Sequence, residues 1–232
     1  LEGISALAHD NDIPLIVDNT VASPYLMNPL ALGADIVVHS MTKFIGGHGN
    51  SIGGVIIDGG TFDYGASGRF TNFIDPDPSY HGLAYWPALG HGSYIIKARV
   101  QLLRDLGPAV TPHNSFYFLQ GLETLSLRME RHCANAMAVA EFLDGHPAVS
   151  WVAYSGLADS PYRALADRYL PDGPGAVFTF GIAAGGGAGR GEGGRAAGAA
   201  FIGGGFFRFF VAQRQHDGVG RLGPHPQEGG HI

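Results

Sequence analysis

Two short apolar runs end on residues that could do chemistry together. Ile13-Pro14-Leu15-Ile16-Val17 closes on Asp18, and Ala34-Asp35-Ile36-Val37-Val38-His39 runs into Ser40-Met41-Thr42-Lys43. A lysine amine condenses with an aldehyde to give an imine. A carboxylate facing a pyridine nitrogen keeps that nitrogen protonated, so the ring can take up electrons from a carbanion. Hydroxyls beside the lysine, with backbone N–H groups, can hold a phosphate dianion. Glycines follow directly in Gly46-Gly47-His48-Gly49 and allow a tight turn beneath such a ring. Aldehyde, pyridine nitrogen and phosphate are the functional groups of pyridoxal 5'-phosphate (PLP). Lys43 is therefore the candidate catalytic residue and Asp18, Ser40 and Thr42 the candidate cofactor-binding residues. No metal is expected.

Each residue also has an ordinary reading. A lysine is most often a solvated surface residue, although Lys43 follows an apolar strand in a chain whose only other lysine is Lys97. Asp18 reads equally well as the cap of a turn over Asn19-Thr20, and Ser40 and Thr42 as local backbone caps. Ser-x-Thr-Lys alone is a weak signal. A strand-terminal Asp paired with a strand-terminal Ser-x-Thr-Lys-x-x-Gly-Gly is considerably stronger.

The elements that must position these groups are an α/β set. Residues 13–18, 34–40 and 54–58 are continuous runs rich in β-branched residues, which suits strands buried on both faces of a parallel sheet. In such sheets the strand C-termini line the ligand crevice, so Asp18 and Lys43 should face one cleft. Helical spacing is expected over 1–10, about 93–106 and about 121–143. In the last, Leu122, Leu125, Met129, Cys133, Ala136, Met137 and Ala140 form one apolar stripe for a core, with Glu123, Arg128, Glu130 and Arg131 largely off it. Residues 69–91 mix Pro, Gly, Asp and aromatics without a period and read as an ordered loop near a site. The α/β alternation stops before 147–153 and 175–182, which read as strands of a second, smaller unit.

The chain has 232 residues, 45% hydrophobic and 15% charged, an ordinary globular composition. A net charge of −6 with no basic patch argues against a nucleic-acid partner. No apolar run is long enough to span a bilayer, so no membrane partner is expected. The single cysteine, Cys133, excludes an internal disulfide framework and fits a reducing, cytoplasmic setting. Leu1 falls within a helical pattern, which predicts that the chain is a fragment. Of 37 glycines, 16 fall in residues 184–232, where no apolar period survives. That stretch is expected to be a flexible tail or the product of a changed reading frame after about Ala184.

Val17-Asp18-Asn19-Thr20…Pro24-Tyr25 and the run from Gly33 through Lys43-Phe44-Ile45-Gly46-Gly47-His48-Gly49-Asn50 resemble the PLP-dependent Cys/Met metabolism family, the cystathionine gamma-synthase-like enzymes. Residues 77–83, 97–107 and 120–132 resemble its O-acetylhomoserine sulfhydrylase branch in particular. The resemblance covers residues 1 to about 183. It implies fold type I of the PLP-dependent transferases: residues 1–126 as part of the large domain with a mostly parallel sheet, 127–183 as a linking helix and the start of the small C-terminal domain, and 184–232 as an atypical tail. It implies that Lys43 holds the cofactor and shuttles protons, that Asp18 pairs with the pyridinium, and that Ser40 and Thr42 contact the phosphate. His48, Asn50, Tyr80, His81 and Trp86 receive no role. The reaction implied is γ-replacement on O-acetyl-L-homoserine by sulfide or a small thiol in a homotetramer. Cystathionine synthesis, γ-elimination from methionine or cystathionine, and a fragment without catalysis are the alternatives. The family also uses a cofactor-stacking tyrosine, a phosphate turn and a carboxylate-binding arginine that have no match here, and Arg208, Arg214 and Arg221 are not assigned to the last. The chain by itself is therefore expected to be inactive and poorly soluble.

Overall fold

The computed structural model describes residues 1–182 and, as backbone, two strands at 196–203 and 206–212. The chain opens with helix α1 (Glu2–His9), followed by β1 (Ile16–Asp18), β2 (Ile36–Ser40) and β3 (Gly54–Asp58), which form one sheet in that order. β1 and β2 run parallel, with Asp18 opposite Val38; β2 and β3 run antiparallel. The three runs were expected to be parallel strands buried on both faces, and only β2 fits that description. The two edge strands expose Ile16, Ile56 and Ile57, because a strand with one neighbour shields only part of its surface.

Asp35, 2% exposed, ties the start of β2 to its surroundings. Its carboxylate lies 2.8 Å from His9 Nε2, accepts the Leu15 N–H at 2.8 Å, and accepts the Thr61 hydroxyl at 3.1 Å. A buried carboxylate needs such partners, and these three join α1, the entry to β1 and the exit from β3. The apolar stripe of α1 does not enter the core: Ile4 and Leu7 are exposed and Ser5 is buried instead, donating to the Gly33 carbonyl.

Residues 69–91, expected as an ordered loop, are ordered by short helical turns. Short helical turns at Thr71–Ile74, Pro78–Tyr80 and Tyr85–Leu89 close around an aromatic cluster with Tyr64, Phe73 and Tyr85 at its centre. Asp77 organises this unit. It accepts from Ser79, from the Tyr85 hydroxyl at 2.9 Å and from Gln101, and its carboxylate lies 3.7 Å from Lys97 Nζ. The helical stretch that follows spans Ser93 to Leu106 and includes a π-turn at Ala98–Leu103, matching the expected range.

The single helix expected over 121–143 is two. Helix α2 (Pro112–Glu123) starts with Pro112 behind the Thr111 cap, whose hydroxyl accepts from Asn114 N. Helix α3 (Leu125–Asp144) follows after Thr124, whose dihedrals (φ −108°, ψ 6°) leave the helical well. The expected stripe of α3 packs as read: Leu125, Met129, Cys133, Ala136 and Ala140 are buried. Leu122, beyond the break, faces solvent. The stripe meets Leu26 and Phe44 from the β1–β2 side and Phe178 and Phe180 from a second sheet in one continuous core.

That second sheet is antiparallel and comprises β4 (Val149–Ala153), β5 (Val177–Ile182), β6 (Ala196–Gly203) and β7 (Phe206–Ala212), with helix α4 (Arg163–Tyr169) between β4 and β5. β4 and β5 match the expected strands. β6 and β7 lie inside the stretch expected to lack order; antiparallel neighbours satisfy their backbone groups without needing a periodic sequence. The remainder of 183–232, where the changed reading frame was inferred, lies outside the described residues.

Candidate functional site

β1 and β2 end side by side. Parallel partners point to the same side of a sheet, and residues two apart share a face. Asp18 pairs with Val38, so Asp18, Val38 and Ser40 belong to one face. The strand ends are also joined directly: Ser40 N donates to the Thr20 hydroxyl at 2.7 Å. Thr20 in turn donates its backbone N–H to Asp18 Oδ1 at 3.0 Å. The turn-capping role of Asp18 is thus real, and it leaves the carboxylate on an exposed surface. Hydrogen bonds from the Thr20 hydroxyl and N–H, helped by the nearby His39 ring, hold the Asp18 carboxyl below its ordinary value against a smaller cost of burial. Asp18 is therefore an anion at neutral pH, as a partner for a protonated ring nitrogen must be.

After Ser40 the chain folds into a compact turn. Lys43 N donates to Ser40 O, Gly46 N to Met41 O at 2.8 Å, and Gly47 N to Lys43 O at 2.8 Å. Gly47 has φ +77°, which favours glycine. His48 Nδ1 lies 2.8 Å from Gly46 O, so that nitrogen carries the proton. Thr42 is turned toward Gly53: its hydroxyl accepts the Gly53 N–H at 3.1 Å and donates to the Gly53 carbonyl at 3.4 Å. The local capping role foreseen for Thr42 is the one it fills here, and an acceptor for a phosphate contact would share its hydroxyl with Gly53.

The two lysines of the chain differ sharply. Lys97 is buried, beside Asp77 and 4.3 Å above the Tyr85 ring centroid. Lys43 is exposed, and its amine has no hydrogen-bond or ion-pair partner among the described residues. Of the two lysines, only Lys43 presents an exposed amine without a partner among the described residues. An unpaired amine after β2, an ionised carboxylate at the end of β1 and a hydroxyl at the end of β2 are group types that fit the aldehyde, ring nitrogen and phosphate of PLP. An open cleft lined by Tyr80, His81, Leu83 and Pro87 lies in the aromatic unit and contains none of these residues.

Three groups that sequence spacing had not singled out hold this turn. Phe118 and Gly121 of α2 press on it, and Arg128 of α3, which the helical period placed off the buried stripe, reaches back to the carbonyls of Phe44 and Ile45. The signal was present only as an arginine one turn beyond a helix break.

The model of the Cys/Met metabolism PLP-dependent enzymes matches residues 1–190. The chain belongs to that family. Among family members, an O-acetyl-L-homoserine sulfhydrylase of Leptospira meyeri is 54% identical over 194 residues, covering 80% of this chain and 44% of that protein. A homocysteine/cysteine synthase of Saccharomyces cerevisiae is 50% identical over 185 residues, covering 78% of this chain and 41% of its own length. The crystal structure of a putative O-acetylhomoserine (thiol)-lyase from Campylobacter jejuni, which contains N'-pyridoxyl-lysine-5'-monophosphate, superposes with a TM-score of 0.73 at 38% identity, over 78% of this chain and 45% of that one. The chain thus spans less than half the length of the family members it matches. The α/β fold with its two sheets agrees with part of a fold type I enzyme.

Proposed function

We propose that this chain carries the lysine-bearing part of a PLP-dependent enzyme that replaces the acetoxy group on the γ carbon of O-acetyl-L-homoserine with sulfide or a small thiol, giving homocysteine or methionine and acetate. The observation that carries the reading is the unpaired Lys43 amine in the turn after β2, a strand whose neighbour β1 ends on the ionised Asp18, in a chain about half identical to O-acetylhomoserine sulfhydrylase and homocysteine synthase family members. When bound, PLP supplies an electron sink that makes protons on the amino-acid substrate acidic.

The chain's own residues have the remaining tasks. Lys43 holds the cofactor aldehyde and, once displaced by the substrate amine, moves protons at the substrate's α and β carbons on one face. Asp18 keeps a proton on the ring nitrogen, and Thr20 keeps Asp18 ionised. Ser40 and Thr42 place hydroxyls, with the backbone N–H groups of the turn, near the phosphate. We take the enzyme to act as a homotetramer in the cytoplasm; the free, buried thiol of Cys133 fits a reducing compartment. No helix among the described residues is long and apolar enough to cross a membrane.

Cystathionine synthesis and γ-elimination would use the same cofactor residues. The test is to present a full-length family enzyme carrying these residues with O-acetyl-L-homoserine plus sulfide, O-acetyl-L-homoserine plus cysteine, and methionine alone. Homocysteine and acetate formed fastest from the sulfide mixture support the proposal. Faster cystathionine formation, or breakdown of methionine, refutes it.

A further inference from the structure

Among the groups that hold the turn carrying Lys43, the Arg128 side chain hydrogen-bonds to its backbone. Arg128 Nη1 donates to Phe44 O at 2.7 Å and Nη2 to Ile45 O at 3.2 Å, the two carbonyls that follow Lys43 directly. Nη2 also donates to Gly121 O at 2.6 Å at the end of α2, and Nε to the Thr124 hydroxyl at 3.1 Å in the break before α3. The guanidinium therefore bridges three parts of the chain: the lysine turn, the end of one helix and the start of the next.

Two features set this apart from an ordinary surface arginine. Arg128 is half-buried and makes no ion pair with a carboxylate among the described residues, so all its bonds go to neutral acceptors. Taking a cation out of water without a counter-charge is costly, and burial accordingly lowers the Arg128 pKa. The turn is also shaped to receive it. An added Cβ at Gly47 would stand 2.6 Å from Nη1, so a side chain there would displace the guanidinium from its present position.

We propose that Arg128 is a positioning residue for Lys43: its planar fork fixes the carbonyls of residues 44 and 45, and through them the direction in which the Lys43 amine leaves the turn. The inference rests on the assignment of Lys43 as the cofactor lysine. Geometry rather than charge is the requirement. A lysine at this position keeps the charge, but its three donors radiate from one atom and cannot span two successive carbonyls, a helix end and a hydroxyl.

The test compares wild-type chain with Arg128→Lys. Hydrogen exchange reads the turn without any cofactor: the amides of Gly46 and Gly47 should exchange at least about tenfold faster in the variant, with the β1–β2 amides unchanged. PLP addition followed by borohydride reads the lysine. The limiting rate of pyridoxyl adduct formation on Lys43 should fall about tenfold or more while the half-saturating PLP concentration stays within about twofold. A general loss of structure would move both quantities and the β1–β2 amides. If Arg128→Lys shows no cooperative thermal transition, Thr124→Val carries the same readouts, with an expected change of about threefold, because it removes the acceptor of Nε and only a long 3.4 Å donation to Gly121 O beside it. Turn amides protected as in wild type, or a loosened turn with an unchanged limiting rate, overturns the inference and leaves the cofactor reading standing. No Lys43 adduct in the wild-type chain overturns both.

Discussion

Gly121→Ala offers a test in which two known effects oppose each other and the structure decides the sign. In an isolated helix the change is stabilising by about 1 kcal/mol, because alanine loses less backbone freedom on folding. Here an added Cβ would collide with the Ile45 carbonyl oxygen and lie 2.7 Å from Gly46 O and 2.9 Å from Gly46 Cα. All three atoms are backbone of the lysine turn, and Ile45 O is already held by Arg128, so no side chain can swing away to make room. Overpacking costs about 1–3 kcal/mol, and the upper part of that range applies where backbone must move. The net result is destabilisation by about 2 kcal/mol, or a midpoint lowered by about 4–8 °C in a chain of this size. Gly3 supplies the control. It lies in α1 with open space around its Cβ position, so Gly3→Ala should stabilise by about 0.5–1 kcal/mol. Thermal unfolding of both variants beside wild type is the assay. Gly121→Ala melting at or above wild type would refute the claim that α2 docks on the lysine turn by close backbone contact.

Other outcomes follow from the same structure. Met129 has no exposed surface and sits where α3 meets both sheets, so Met129→Ala should cost about 2–5 kcal/mol in denaturant unfolding, with m unchanged. Asp77 is held at about 2, against an ordinary 3.8, by hydrogen bonds from Ser79 and Tyr85 and by the charge of Lys97. A depressed carboxyl stabilises the fold above its unfolded value and loses that contribution as pH falls through its folded value. Stability should therefore drop between about pH 4 and pH 2, and Asp77→Asn should lower the melting temperature at pH 5 while the gap to wild type narrows toward pH 2. Asp18→Asn, which cannot keep a ring nitrogen protonated, should leave the melting temperature within about 2 °C and cut turnover in a full-length enzyme by about a hundredfold, since electrostatic groups at a reacting centre contribute on this scale. A kinetic assay of the variant showing turnover within threefold of wild type removes Asp18 from the assigned role.

The parts of this molecule that the sequence made legible are those governed by local periodicity and residue type. The run 54–58 is β3 residue for residue, and the stripe from Leu125 to Ala140 is the buried face of α3, because a period of 3.6 needs no knowledge of the partner. The strand-end positions of Asp18 and Ser40, with Lys43 in the turn just beyond, followed from apolar runs alone. What sequence could not reveal depends on the third dimension. β3 turned out antiparallel because strand direction is set by the connection, not by composition. Ile4 and Leu7 have the right spacing for a core face, yet α1 turns Ser5 inward. The helix break at Thr124 carries no glycine or proline to announce it, and without the break Arg128 reads as a solvent-facing charge rather than the clamp on the lysine turn. Residues 69–91 lack a period because aromatic packing around Tyr64 and the Asp77 hydrogen bonds, not a regular element, shape them.

The central claim is that Lys43, and not Lys97, is the lysine that takes the cofactor. Incubation of the chain with PLP, reduction with borohydride and peptide mapping by mass spectrometry test it most directly, because only two lysines compete. A pyridoxyl adduct is expected on Lys43, with Lys97 unmodified beside Asp77 and the Tyr85 ring, and the adduct should be lost in Lys43→Ala. An adduct on Lys97 equal to that on Lys43, or one that survives in Lys43→Ala, would contradict the claim.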